Sequence, residues 1–349
     1  MDALLWQDKA LSLLDQKQYP KEELWYDCTD YRAVVEVLKT HAVQGENFLA
    51  ISAAYGYCLA ALEYQDKENF EANMTEAMAA LRASRPESKA LAASLDRMAA
   101  KQAEYQGDSQ QVTALLAEAV TIHRQDVVAC RNMNRRGVEI IPDEAKILLK
   151  TCSGVFHTGS IGSALGVIRS ALLHKKVERV FLCESRPSLE GIRRIATELA
   201  AQNVPTTLIP DAASATLMAR HNTDIVLIDA TQVAATGDLL AAPGAYELAI
   251  AAYFHSVPVY AVAFTSQMDL SIPDGSAFPQ EDGESDTDTK FTGVSVIPEG
   301  VNTWTPRYDV IPNYLLTGMI TDKGLLYPPF QETMPELMTK SQGNTFVFA

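Results

Sequence analysis

The pattern of short apolar runs in the second half of the chain constrains its fold most strongly. From residue 146 onward, such runs are bounded by turn residues and alternate with stretches of helical periodicity. Continuous apolar strands that alternate with helices are typical of a parallel sheet covered on both faces. We therefore predict an α/β fold with a mostly parallel sheet. The predicted strands are Lys146–Leu149, Arg179–Cys183, Thr206–Ile209, Ile225–Ile228 and Val259–Val262. The predicted helices between them are Ser163–His174, Leu189–Gln202, Ala212–His221 and Tyr246–His255.

The first part of the chain has helical periodicity instead. Its only strand-like run lies around Leu24–Tyr26. A chain of 349 residues is long enough for two domains of roughly 150 residues each. We predict a mainly helical N-terminal domain, residues 1–140, and an α/β C-terminal domain, residues 141–349. The predicted N-terminal helices are Tyr31–Lys39, Phe48–Glu63, Phe70–Ser84, Ser88–Tyr105 and Ser109–Asn132.

Charge and cysteine content exclude several classes of function. The formal net charge of −15 argues against nucleic-acid binding, which needs a basic face, and against adsorption to an anionic membrane. No apolar run approaches the roughly 20 residues that span a bilayer. The five cysteines include no CxxC pair, so they indicate neither a disulfide framework nor a zinc site. These features predict a cytoplasmic protein, and nothing in the sequence implies a metal or an organic cofactor.

Three glycines surround the start of a predicted helix. Gly159, Gly162 and Gly166 lie in the segment HTGSIGSALGVIR. Backbone amides at a helix N-terminus bind anions, so one interpretation is a phosphate site. The alternative interpretation is that the glycines permit close packing of the helix on the sheet. The spacing matches neither a P-loop nor a dinucleotide fingerprint.

Two reactive side chains follow predicted strands, where ligands of parallel sheets usually bind. Cys152 comes directly before the glycine-rich turn, and a thiol near a helix N-terminus loses its proton more easily. A buried structural cysteine is the alternative. Asp229 ends another strand, where a carboxylate serves either as a base or as a cap of the following turn.

Several longer motifs resemble those of the methylthioribose-1-phosphate isomerase family, whose relatives include the regulatory subunits of translation initiation factor eIF2B. The motifs follow the family order over roughly residues 35–330. They are ISAAYGYCLA (51–60), SRPESKALAASLDRM (84–98), GSALGVIR (162–169), ESRPSLEGIRRIATEL (184–199), AATGDL (234–239), DLSIPDGSAFP (269–279), IPEGVNTWTPRYDVIP (297–312) and ITDKGLLYPPF (320–330).

The resemblance implies a helical N-terminal domain, a Rossmann-like C-terminal domain, a homodimer and an active site between the domains. It also implies a small-molecule sugar phosphate as substrate, because enzymes of the family convert an aldose 1-phosphate into a ketose 1-phosphate in methionine salvage. The family pattern uses a cysteine and an aspartate to move protons at adjacent carbons. A dry pocket favours the neutral forms of both groups.

The catalytic residues carry over only in part. Cys152 matches the family cysteine if a one-residue gap precedes GSALG. The family motif GADRIAANGD aligns with residues 229–238 through the shared Ala-Ala-x-Gly-Asp, so Thr231 stands where the aspartate is expected. A threonine hydroxyl is not a general acid near neutral pH. Asp229 lies two positions earlier, at about 6–7 Å along a regular strand, and is the candidate substitute. Gln232, in the same segment, is a candidate substrate-binding residue.

The phosphate-binding residues depart from the family pattern as well. An arginine of the family is Gln44 here, a lysine is Ala242, and a glutamine is Glu190, whereas Arg85 is retained. Together with Gly159, Gly162 and Gln232, these four positions are the predicted substrate-binding set. Each charged hydrogen bond to phosphate contributes about 1.5–3 kcal/mol, so the two lost cations weaken phosphate binding.

Three hypotheses follow from these departures. The first is an aldose–ketose isomerase of the family type that uses Cys152 with Asp229. The second is an isomerase that acts on a different sugar, either phosphorylated or unphosphorylated. The third is a non-catalytic sensor or assembly subunit, as in the eIF2B relatives. Fold alone does not separate them, because function depends on the site.

Overall fold

A computed structural model describes residues 3–151, 158–159, 162–186, 189, 191–279, 290–291, 294–295, 298 and 300–340. The chain divides into two units. The first contains residues 1–130 and 155–162, and the second contains residues 131–154 and 163–349. No helix in the described ranges is long and apolar enough to cross a bilayer.

The first unit opens with an antiparallel sheet of three strands. The strand-like run around Leu24–Tyr26 predicted only the last of them. The strands β1 (Leu4–Gln7), β2 (Ala10–Leu14) and β3 (Trp25–Cys28) pair in chain order. Asp8 and Lys9, both with positive φ, form the two-residue turn between β1 and β2. Such turns usually contain Asn-Gly or Asp-Gly, so this hairpin lacks the usual local signal.

The predicted helices of the first unit are present. The helix α1 begins after Asp30, whose carboxylate accepts the amides of Arg32 and Ala33. The next helix is apolar on all sides and is buried along most of its length. The bounds are α1 (Tyr31–Lys39), α2 (Glu46–Tyr64), α3 (Phe70–Ser84), α4 (Lys89–Glu104) and α5 (Gln111–Ile140), and the last of these continues into the second unit.

The second unit confirms the predicted α/β class with a mostly parallel sheet. Its parallel strands lie in the order β6-β5-β4-β7-β9-β14. Counted along the chain, this is the 3-2-1-4-5-6 order of the Rossmann fold, whose topological switch point lies between the first and fourth strands. The bounds are β4 (Ala145–Lys150), β5 (Val177–Cys183), β6 (Thr206–Ile209), β7 (Ile225–Ala234), β9 (Val259–Val262) and β14 (Gly318–Ile320).

The helices of the second unit connect these strands, except the last helix, which follows the final strand. The predicted helix Leu189–Gln202 differs from its expected form, because a π-helical turn over Gly191–Ile195 precedes α7. A Cβ on Gly191 would overlap the carbonyl oxygen of Cys183, so this helix approaches β5 closely only because the residue is glycine. The bounds are α6 (Ser163–Leu173), α7 (Ala196–Ala201), α8 (Ser214–Ala219), α9 (Ala245–Phe254) and α10 (Phe330–Lys340).

Smaller strands extend the sheet beyond its parallel core. An antiparallel branch runs from β7 through β8 to β13, and β10 pairs with β7 in parallel. At one edge, β15 pairs with β14 in antiparallel orientation, and β11 and β12 form a separate two-stranded pair. The bounds are β8 (Leu239–Ala241), β10 (Met268–Asp269), β11 (Lys290–Phe291), β12 (Val294–Ser295), β13 (Asp309–Ile311) and β15 (Leu325–Leu326).

Candidate active site

The carboxyl ends of β4 and β7 meet at the switch point of the sheet. In open α/β sheets, ligands bind in the crevice outside this point. Thr151 directly follows β4, and Asp229 lies where β7 leaves the parallel core. The Thr151 hydroxyl donates a hydrogen bond to Oδ2 of Asp229. The switch point therefore contains a carboxyl group held across two neighbouring strands.

Asp229 is a buried carboxyl group at a helix N-terminus. Its Oδ1 accepts the backbone amide of Ala164, in the first turn of α6, at 2.8 Å. Burial raises the pKa of this carboxyl to about 6, although hydrogen bonds from Thr151, Ala164 and Ser163 favour the charged form. A carboxyl group with this pKa exchanges a proton near neutral pH, which suits a general acid or base.

The raised pKa of Asp229 makes stability depend on pH. The folded protein binds this proton more tightly than the unfolded chain, so increasing pH favours unfolding until the folded pKa near 6 is passed. We expect the free energy of unfolding of the wild type to fall by about 2 kcal/mol relative to that of Asp229→Asn between about pH 4 and pH 7. Urea unfolding at both pH values measures the difference. Asp66→Asn, which removes an exposed carboxylate, is the control and should follow the wild type. If the free energies of unfolding of Asp229→Asn and of the wild type changed equally between the two pH values, the expectation would be contradicted.

Thr231 lies in a different environment from Asp229. The pairing of β7 with β8 shifts register between Ala230 and Gln232, so Thr231 is the extra residue of a β-bulge. Its side chain is exposed, that of Gln232 is partly exposed, and that of Asp229 is buried. Gln267 donates its side-chain amide to the carbonyl of Ala230 at 2.8 Å. The regular strand spacing assumed for Asp229 and Thr231 therefore does not apply at this point.

Carboxylates already accept two amides of the glycine-rich segment. In the first unit, Gly159 donates its amide to Asp126 at 2.7 Å, and its carbonyl lies 3.2 Å from Nε2 of His123. A Cβ on Gly159 would lie 2.6 Å from the His123 ring, so the missing side chain permits close packing on α5 and not of a helix on the sheet. In the second unit, the amide of Ala164 is bound by Asp229. Gly162, which belongs to the first unit, is buried. These two amides are therefore not free for a phosphate.

Two predicted phosphate-binding residues belong to the first unit. Gln44 is exposed, and its backbone amide and carbonyl both bond to the side chain of Gln16. Arg85 is partly buried, with Nε 2.6 Å from Glu87 and Nη1 bonded to the carbonyl of Val43. The guanidinium of Arg85 therefore already has protein partners.

Of the remaining predicted residues, Ala242 belongs to the second unit and lies directly after β8. Ala242 is partly buried, and its carbonyl accepts the amide of Ala245 at the start of α9. Cys152 and Glu190 lie outside the described residues. The roles of all predicted site residues stay predictions.

A buried lysine that was not among the predicted site residues lies at this end of the sheet. Lys150 ends β4 with a side chain only 1% exposed, and its Nζ lies 3.0 Å from Oδ1 of Asp211, which follows β6. The available signal was a lysine at the end of the apolar strand AKILLK, immediately before the candidate catalytic residues. Lysine is almost never fully buried unless it is paired.

Comparison with known proteins identifies the family. The fold and the switch-point site define an α/β protein of Rossmann type, and the model of the initiation factor 2 subunit family matches residues 42–328. A methylthioribose-1-phosphate isomerase of Desulforudis audaxviator is 40% identical over 336 residues, which are 96% of this chain and 97% of that protein. The chain therefore belongs to the methylthioribose-1-phosphate isomerase family within the initiation factor 2 subunit family, which confirms the resemblance.

Solved structures agree with this assignment. The crystal structure of 5-methylthioribose 1-phosphate isomerase from Pyrococcus horikoshii OT3 has a TM-score of 0.92 at 28% identity, covering 97% of this chain and 96% of that one. Subunit delta of the translation initiation factor eIF-2B from A. fulgidus has a TM-score of 0.90 at 26% identity, covering 97% of this chain and 99% of that one. Both an isomerase and an initiation factor subunit therefore share this fold.

Proposed function

We propose that the chain is an aldose–ketose isomerase of the methionine-salvage type that acts on methylthioribose 1-phosphate, with Asp229 and Cys152 as the proton-transferring pair. The observation that carries the proposal is the buried Asp229 carboxyl at the switch point, with its pKa raised to about 6. Thr151, whose hydroxyl bonds to Asp229, is the residue directly before Cys152 in the chain. The names of the relatives support the substrate.

The reaction needs no external oxidant or reductant. Carbon 2 of the sugar loses a hydrogen and its hydroxyl becomes a carbonyl, while carbon 1 gains a hydrogen. The bond from carbon 1 to the ring oxygen breaks, and that oxygen takes up a proton. Two groups that exchange protons in a water-poor site are sufficient. In this proposal, Asp229 acts in its neutral form as the acid, and Cys152 acts as the base in its thiolate form.

A specific observation favours the non-catalytic alternative. The first turns of three helices each donate a backbone amide to a carboxylate of this chain. Asp229 accepts such an amide from α6. The other two pairs are Glu46 with Ala90 of α4 and Asp309 with Tyr246 of α9. Helix N-termini that bind a carboxylate are less available to a phosphate. In that alternative, Asp229 is a structural cap and the chain is a ligand-binding or assembly subunit. The homodimer also stays a prediction.

Turnover is the direct test. We expect proton NMR of the purified protein with methylthioribose 1-phosphate to show the ketose 1-phosphate accumulating, and Cys152→Ser to abolish it. Cys183→Ser is the matched control, because this thiol is buried at the end of β5 and should leave turnover intact. Absence of product at high concentration of folded wild-type protein would favour the alternative.

A further inference from the structure

Lys150 has unused hydrogen-bonding capacity at the candidate site. Its side chain is 1% exposed, and its ammonium group has three donors. Within the described part of the chain, Asp211 supplies its single acceptor, at 3.0 Å. Buried donors without partners are costly, particularly when they carry charge. The remaining two donors are therefore suited to a ligand with several acceptor oxygens.

The Lys150 ammonium lies against the N-terminal end of α9. A Cβ placed on Gly244, the residue before this helix, would be 3.0 Å from Nζ. A helix N-terminus carries partial positive charge, so a neighbouring cation is unfavourable there. Asp211 and Asp309, which binds the amide of Tyr246, offset part of this charge. An anionic ligand next to Lys150 would stabilise the arrangement further.

The same turn contains the position where the family resemblance expects a cation. Ala242 replaces that lysine and lies two residues before Gly244. Lys150 supplies a positive charge to this turn from a different strand. The lysine at the end of β4 therefore places a positive charge near the position where the resemblance expects one.

We propose that Lys150 binds the phosphate group of the substrate through its two unused donors, a role that rests on the proposed function for the identity of the sugar. Its chemical partner is a phosphate dianion. The ion pair with Asp211 positions the ammonium, and the absence of a side chain at Gly244 leaves room for it. Lys150 is thus a specificity-determining residue for phosphorylated over unphosphorylated sugars.

A purely structural role for Lys150 predicts a different pattern of variants. In that case the lysine serves only to join β4 to Asp211. Removing either partner of the ion pair then weakens phosphate binding to the same extent. Asp211 also accepts the amides of Ser185 and Arg186, at 3.1 and 2.8 Å. Asp211→Asn removes the charge of the ion pair but keeps the lysine. This variant therefore distinguishes a role of Lys150 in phosphate binding from a purely structural role in the ion pair with Asp211.

Calorimetric titration with inorganic phosphate and with methylthioribose 1-phosphate tests the proposal. We expect Lys150→Met to weaken binding of both by roughly 10- to 100-fold. Asp211→Asn keeps an acceptor oxygen that positions the ammonium but loses the competing negative charge, so it should bind as tightly as wild type or more tightly. Lys146→Met is the matched control, because this lysine lies on the same strand, is more exposed and pairs with Glu178. It should leave binding unchanged.

Lys150→Gln is the second variant, for use if Lys150→Met does not fold. Glutamine retains a hydrogen-bond donor for Asp211 but lacks the positive charge of lysine. Wild-type affinity in either folded Lys150 variant, or equal losses in Asp211→Asn, would overturn the proposal. The titrations do not require turnover. Binding through Lys150 without turnover would refute only the proposed isomerase, whereas turnover with an unchanged KM in Lys150→Gln would refute only this role of Lys150.

Discussion

Asp229→Asn is expected to lower kcat for isomerisation of methylthioribose 1-phosphate by about 10²- to 10⁴-fold, with a much smaller change in KM. Asparagine has nearly the shape of aspartic acid and keeps an oxygen for the amide of Ala164, but it does not exchange a proton. The loss therefore reports on proton transfer and not on folding. Steady-state kinetics with the NMR assay give kcat and KM separately.

The pH profile extends this prediction. If Asp229 acts as a neutral acid, kcat/KM of the wild type falls as pH rises through its pKa of about 6. Thr151→Val removes one hydrogen bond to the charged form, so it should raise this pKa further and shift the falling limb to higher pH. Wild-type kcat in Asp229→Asn would refute the role. Recovery of activity in the double variant Asp229→Asn/Thr231→Asp would show that a carboxyl group at position 231 can perform the proton transfer.

Restoring the lost cations has the second largest expected effect. We expect Gln44→Arg combined with Ala242→Lys to tighten binding of methylthioribose 1-phosphate by about 10²- to 10³-fold, since each charged hydrogen bond to phosphate contributes about 1.5–3 kcal/mol. Most of the gain should come from Gln44→Arg, because Lys150 already lies beside the turn of Ala242. The bonds of Gln44 to Gln16 involve its backbone, so the substitution preserves them.

Calorimetry of the single and double variants measures this gain. Gln65→Arg is the matched control, because it adds the same charge at the opposite end of α2, about 28 Å away. An equal gain in Gln65→Arg would show that net charge and not a local contact is responsible. No gain in the double variant would mean that neither position contacts the phosphate, and it would favour an unphosphorylated ligand.

The sequence by itself determined the fold class and many element boundaries. The predicted helices Tyr31–Lys39 and Phe70–Ser84 and the strands Thr206–Ile209 and Val259–Val262 match the structure residue for residue. Capping residues, apolar periodicity and turn residues are local signals, so they are visible in a single sequence. The β1–β2 hairpin was missed because Asp8-Lys9 is an unusual pair for a two-residue turn.

The tertiary structure alone decided the composition of the candidate site. Strand order creates the switch point, and residues 78 positions apart bond there when Thr151 meets Asp229. The bulge at Thr231 arises from pairing with β8, and the contact of Lys150 with Gly244 joins a strand to a distant helix end. Burial, and with it the raised pKa of Asp229, likewise depends on neighbours that are remote in sequence. Such contacts leave no periodic trace in the sequence, because the spacing between their partners is set by the folding of the intervening chain.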